Sequence, residues 1–378
     1  MSAAVTKATT HGMKSTQRDV GIAKYDRLMR VGGLRLEGVE WRSPMVPPFR
    51  VVGFPWIARD GVYRRMPLKP SHPLPEAVDA LANCTAGGQI AFRTNSGRLA
   101  IAVHLAGPST MDHMPATGQS GFDCYVNGRY LSTTRMRPSL KKYAHLFFDL
   151  PRGKMRTVTL NFPLYQGVKK VILALDTSAR LLPPPPFEND RPIVIYGTSI
   201  TQGGCASRPG MAWTNLLSRR LNRPIINLGF SGSGRGETEV ARVIAEIADP
   251  SLLVLDYEAN AGGIGPLRKT FPVFLRILRA AHPRVPILVV TCCPFARENF
   301  KPEERPARLG RRDFQRDTVR KLRTKGDRHL FFHDGSTILG TNDWEEFAVD
   351  GVHPTDFGFH RIAEALTPVF RRILKARR

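Results

Sequence analysis

The sequence predicts two joined folds: an all-β sandwich of jelly-roll type over residues 31–180, then an α/β domain over residues 192–378 built in three layers around a five-stranded parallel sheet. Three observations predict this. In the first half, short β-rich runs recur about every ten residues between turn signals, with no helical stretch longer than about ten. LLPPPPFENDRP, from Leu181, is a stiff proline-rich linker covering 181–191. Beyond it, five short apolar runs alternate with segments of helical period, as parallel strands buried on both faces do.

Taken in order, residues 1–30 are basic and hydroxyl-rich and read as a flexible N-terminal arm. They lack the apolar run of a secretory signal, and no uncharged apolar stretch is long enough to span a membrane, so a cytoplasmic location is expected. GGQIAFRTNSGRLAIAVHL alternates apolar and polar residues around Asn95-Ser96-Gly97, which predicts a hairpin. FDCYVNGRYL places Asn127-Gly128 between two β-rich runs and predicts another. LFFDLP, TVTLNFP and VKKVILAL continue the sandwich. After the linker, IVIY, IINL, LLVLDY, PILVVT and HLFFHD are the five parallel strands, with MAWTNLLSRRL and VFLRILRAAH among the helices between them.

Composition is that of an ordinary globular chain, 42% hydrophobic and 23% charged, which excludes a disordered chain, a collagen-like fibre or a small disulfide scaffold. The formal charge of +24 raises the question of a polyanionic partner. However, residues 1–190 carry 13 of the 24 excess charges, so the excess is spread along the chain. The arginine-rich stretch from Arg305 to Arg328 also holds Asp313, Asp317 and Asp327 and reads as a solvated helix face. No specific nucleic-acid partner is expected. Cys84, Cys124, Cys205, Cys292 and Cys293 lack zinc-site spacing and read as buried, reduced thiols. For Cys292-Cys293 a strand end is favoured over a strained redox bridge.

Ligands in an open parallel sheet bind beyond the carboxyl ends of its strands. Four loops there carry chemistry. After the first strand, Gly197-Thr198-Ser199 can project a hydroxyl above the sheet, although a loop serine is also a common cap. After the second, Gly229-Phe230-Ser231-Gly232-Ser233-Gly234 satisfies neither a dinucleotide fingerprint nor a P-loop. What remains is exposed backbone N–H suited to an oxyanion, or a plain glycine turn. After the third, Asn260 offers a side-chain N–H or builds a turn. Finally, Asp350-Gly351-Val352-His353-Pro354 sets a carboxylate three residues before an imidazole, close enough to orient it.

Together these residues resemble the SGNH (GDSL-like) hydrolase family, in its subgroup with an N-terminal β-sandwich. Gly197-Thr198-Ser199-Ile200 is similar to the serine block, with Thr for the usual Asp and Ile for Leu; Asn227 to Gly232 is similar to the second block. Glu258-Ala259-Asn260-Ala261 matches G-x-N-D only at the asparagine, and Asp350 to Pro354 matches D-x-x-H-P throughout. The resemblance implies a flavodoxin-like catalytic domain, a triad of Ser199, His353 and Asp350, and an oxyanion hole of Ser199, Gly232 and Asn260, with neither cofactor nor metal. It implies a serine esterase working through an acyl-enzyme on a small-molecule or carbohydrate ester, a short acyl group such as an O-acetyl being preferred. An acyltransferase or thioesterase using the same triad is the alternative within the enzyme class. An inactive scaffold binding polyanions is the alternative outside it.

Overall fold

A computed structural model describes Tyr25 and residues 34–375. The arm expected over residues 1–30 lies outside the described residues, apart from Tyr25. The first part runs β1 (Val39–Arg42), β2 (Arg50–Val52), α1 (Ile57–Asp60), α2 (Glu76–Leu81), β3 (Gln89–Thr94), β4 (Arg98–Leu105), α3 (Ala116–Ser120), β5 (Asp123–Val126), β6 (Arg129–Thr133), β7 (Lys142–Asp149), β8 (Arg156–Asn161), β9 (Val168–Asp176) and β10 (Leu181–Leu182). These strands form two antiparallel sheets, ordered β1-β9-β4-β7 and β10-β3-β8-β5-β6, with β2 also beside β3. Phe92, Phe122, Leu160 and Phe162 pack against Leu99, Ile101 and Leu173 to fill the core between them. Each such side chain withdrawn from water contributes about 1.5–3 kcal/mol.

The Asn127-Gly128 hairpin forms as expected, joining β5 to β6 with both turn residues at positive φ, 50° and 76°. The hairpin expected at Asn95-Ser96-Gly97 does not form. β3 pairs with β2, β8 and β10, whereas β4 pairs with β7 and β9 in the opposite sheet. The turn is a corner between sheets, held by Asp176, whose carboxylate accepts from the N–H of Gly97 (2.8 Å) and from Arg98 Nε (2.8 Å). Burial pushes this carboxyl up, but the hydrogen bonds from Arg98, Gly97 and Ser96 outweigh it and hold it at about 2. Alternation reports which face of a strand is buried, not which strand lies beside it. The linker also begins later than 181, because Leu181 and Leu182 pair with Thr94 and Arg93 as β10.

The second part runs β11 (Ile193–Gly197), α4 (Ser199–Gln202), α5 (Trp213–Leu221), β12 (Ile225–Gly229), α6 (Thr238–Ala245), β13 (Leu252–Asp256), α7 (Ile264–Ala281), β14 (Ile287–Val290), α8 (Arg305–Thr324), β15 (Leu330–His333) and α9 (Asp356–Lys375). The five expected runs all become parallel strands, in the order β12-β11-β13-β14-β15. Alternate residues of β11 face opposite layers. Val194 and Tyr196 pack with α6 and α7, while Ile193 and Ile195 pack with α5 and α9. The chain enters at β11, turns one way to β12 and then the other way to β13, so the crevice above β11 is the topological switch point, where open α/β sheets generally bind ligands.

The two parts are tied by buried polar side chains. Arg65, wholly buried, donates to the carbonyls of Leu81 and Cys84 in the first part and to those of Asn227 (3.1 Å) and Gly229 (2.6 Å) at the end of β12. Burial lowers its guanidinium to about 10. Asp123 accepts from Arg208 (2.8 Å) and from the N–H of Gly210 (2.7 Å) across the same junction. No helix among the described residues is long and apolar enough to cross a membrane.

Candidate active site

β11 ends at Gly197, where a Cβ would lie 2.1 Å from Thr201 Oγ1 and 2.7 Å from the carbonyl of Asp256. Only glycine permits so tight an exit. Thr198 then caps α4, its hydroxyl oxygen accepting from the N–H of Ile200 at 3.3 Å. Ser199 is therefore the first residue of a short helix at the sheet edge, largely buried, with its N–H at the helix start.

The expected partner reaches it. His353 Nε2 lies 2.8 Å from Ser199 Oγ, and Nδ1 lies 2.7 Å from Asp350 Oδ2. An ionised carboxylate only accepts, so Nδ1 carries the ring proton and Nε2 is free to accept from the serine. Asp350 Oδ1 also accepts from the N–H groups of His353 (2.7 Å) and Val352 (3.0 Å). Partial burial pushes the Asp350 carboxyl up, yet these hydrogen bonds more than offset it and hold the group below the usual carboxylate range. The loop is itself pinned: Val349 N–H donates to the His353 carbonyl (2.8 Å) and Ala296 N–H to that of Gly351 (2.9 Å).

On the other side of Ser199, the β12 loop is drawn in by the N–H of Phe230 donating to the Gly197 carbonyl (3.0 Å) and the N–H of Ser231 donating to Gln202 Oε1 (3.0 Å). Gly232 follows at φ +65°, with open space where a Cβ would stand. Asn260 ends a 3₁₀ turn after β13, and its Nδ2 is buried with no hydrogen-bond partner among the described residues. A buried amide donor left unpaired is costly, roughly 1–3 kcal/mol, unless a ligand takes it up.

Sequence reasoning missed what supports this loop. Glu258, which stands where the family motif has glycine, is buried, pairs with Arg311 of α8 at 2.6 Å and accepts from the N–H of Cys292 at 3.1 Å. The arginine-rich helix is thus not only a solvated face: Arg308 and Arg311 turn inward to Glu298 and Glu258, while Arg316 pairs outward with Asp313 and Asp317. Cys292 and Cys293 are free, buried thiols. The sandwich contributes as well, with Tyr165 Oη donating to the Ser199 carbonyl at 3.3 Å. The signal available for Glu258 was its departure from the motif; Tyr165 gave none.

Beneath the site, Asp256 is half-buried at the end of β13 and accepts from Thr201 Oγ1 at 2.7 Å, tying α4 to the sheet. Burial pushes its carboxyl up to about 7, against the Thr201 hydrogen bond and with help from Glu258. The native state therefore holds a proton that the unfolded chain releases near its ordinary value of 3.8. Between those two values the native state binds more protons, so stability falls as pH rises through the window. Asp256→Asn keeps an acceptor for Thr201, and it should flatten the decline in Tm between about pH 4 and 7; an unchanged slope in thermal unfolding would show that this carboxyl is not the source.

Residues 190–371 match the model of the GDSL-like lipase/acylhydrolase family, and residues 39–181 match the model of the N-terminus of SGNH-hydrolase-type esterases. Among solved structures, one described as a GDSL-like lipase from Bacteroides ovatus ATCC 8483 is 28% identical, with a TM-score of 0.78, over 89% of this chain and 98% of that one. A salicylyl-acyltransferase from a tetracycline biosynthetic pathway is 22% identical (TM-score 0.73) over 90% and 98%. A family two carbohydrate esterase from Cellvibrio japonicus is 15% identical (TM-score 0.57) over 89% and 98%, a likeness of fold alone, as is that to the acyltransferase. A curated tetraacyldisaccharide 4'-kinase from Thiobacillus denitrificans (strain ATCC 25259 / T1) is 32% identical over 102 residues, 26% of this chain, and the chain spans only 30% of its length.

Proposed function

Because the chain belongs to the GDSL-like lipase/acylhydrolase family of SGNH hydrolases, we propose that it is a serine esterase whose triad is Ser199, His353 and Asp350. The observation that carries this is the unbroken hydrogen-bonded chain Ser199 Oγ to His353 Nε2 (2.8 Å) and His353 Nδ1 to Asp350 Oδ2 (2.7 Å). As Ser199 Oγ attacks an ester carbonyl, His353 takes its proton and Asp350 stabilises the imidazolium. The proton then passes to the leaving alcohol, and water repeats the sequence on the acyl-serine. The N–H groups of Ser199 and Gly232 and the Nδ2 of Asn260, which has no partner among the described residues, hold the oxyanion.

In this reading residues 192–378 carry the chemistry and the sandwich, 31–180, shapes the mouth of the site; the contact of Tyr165 with the Ser199 carbonyl supports that division. The preferred substrate is a short acyl ester, an O-acetyl on a carbohydrate in particular, in keeping with the carbohydrate esterase that shares both parts of the architecture. An inactive scaffold would have no reason to keep all three groups in register. Hydrolysis of p-nitrophenyl esters of increasing acyl length should be fastest for acetate and absent in Ser199→Ala. Faster turnover on adding an acceptor alcohol, with transfer exceeding hydrolysis, would make the protein an acyltransferase instead. No release above the Ser199→Ala control would overturn the proposal.

A further inference from the structure

We propose that His113, Cys205 and His353 form a binding site for one borderline-soft divalent cation, Zn²⁺ or its analogues, and that occupancy switches the hydrolase off. Each residue offers a ligand atom, and the three atoms lie within 4.8 Å of one another. They come from three separate segments: the loop between β4 and α3, the turn after α4, and the loop before α9.

The donor set fits the ion. Two imidazole nitrogens and a thiolate sulfur, with water as a fourth ligand, are a standard tetrahedral zinc set, with bonds of about 2.0–2.3 Å and so ligand separations of about 3.4 Å. The separations, all within 4.8 Å, exceed this by at most about 1.4 Å, so binding draws the three side chains together, the half-exposed His113 having the most room to move. Cys205 is the rigid floor: its side chain is buried, and its φ of +74° is a conformation that side chains other than glycine rarely adopt. The turn is folded against the base, since a Cβ on Gly204 would lie 3.2 Å from His353 Cδ2.

The surroundings of the two rings are compatible with coordination. His353 Nδ1 faces the carboxylate of Asp350 (2.7 Å), and His113 Nδ1 faces that of Asp112 (3.0 Å). His353 is thus held with Nδ1 on a carboxylate, the arrangement that orients histidine ligands in zinc sites, and His113 makes the same kind of Nδ1 contact with its exposed neighbour. The rings meet edge-on with centroids 5.8 Å apart. On binding, the Cys205 thiol loses its proton to buffer, two Zn–N bonds and one Zn–S bond form, and His353 Nε2 leaves Ser199 Oγ. The serine then has no base.

The binding half of the proposal is independent of the esterase reading, whereas the inactivation half rests on it. Titrating the full chain with Zn²⁺ by calorimetry should give one equivalent in both wild type and Ser199→Ala, and Cd²⁺ should bring a thiolate-to-metal charge-transfer band. His113→Ala, a change at a half-exposed loop position, should weaken binding at least tenfold while leaving metal-free turnover intact. Cys205→Ala should do the same and abolish the band. In wild type, hydrolysis should fall in proportion to occupancy and return with EDTA. No stoichiometric binding, or binding indifferent to both variants, overturns the site. Binding as described in a protein that hydrolyses no ester keeps the site and instead removes the function proposed above.

Discussion

Ser199→Ala is expected to lower kcat/KM for a short-chain ester by ~10⁴–10⁶-fold while leaving Tm nearly unchanged. His353→Ala is expected to match it. The geometry requires equality, because the hydroxyl and the imidazole meet at 2.8 Å and act as one unit: a serine without its base is scarcely a nucleophile, and a base without its serine has no proton to accept. The double variant should therefore be no slower than either single one. Asp350→Ala should cost less in the chemical step but more in the fold. Its carboxylate also accepts two backbone N–H groups, those of Val352 and His353, so its loss loosens the loop that presents the base. Additive losses in the Ser199/His353 pair, measured by steady-state kinetics, would mean that the two side chains work separately.

Asn260→Ala separates function from stability more sharply. Its Nδ2 is buried with no partner among the described residues, an arrangement that is expensive unless a developing negative charge takes it up. Truncation should lower kcat by ~10²–10³-fold, equivalent to ~3–4 kcal/mol of transition-state stabilisation, with KM little altered. Since the alanine removes an unsatisfied donor, Tm should hold or rise. A variant that keeps its rate but loses stability would make Asn260 a turn residue, the other role open to it from sequence. The Glu258 and Arg311 pair should be felt through the same loop, because Glu258 begins the 3₁₀ turn that Asn260 ends.

What was legible in the sequence follows from how each feature is encoded. The five strands of the α/β part could be read because a parallel strand covered on both faces is a near-continuous apolar run, and β11 to β15 are mostly that. Ser199, Gly232, Asn260, Asp350 and His353 could be placed at one sheet edge because each follows a strand or precedes a helix. The corner at Asn95-Ser96-Gly97 was misread because its turn residues serve a hairpin and a change of sheet equally well; what decides is the Asp176 carboxylate, 79 residues away from Gly97. Arg65 and Asp256 were invisible for the same reason. A lone arginine satisfying four carbonyls, or a carboxyl raised by its surroundings, leaves no local pattern. The cluster of His113, Cys205 and His353 has no spacing signature at all, since its members are 92 and 148 residues apart.

The central claim is that the serine at position 199 is activated by its histidine. It is tested most directly by treating the folded protein with a fluorophosphonate and locating the adduct by peptide mass spectrometry. One adduct per chain is expected, on Ser199, with labelling lost in His353→Ala although the hydroxyl remains. An adduct on another residue, or labelling of Ser199 that is as fast without His353, would contradict it.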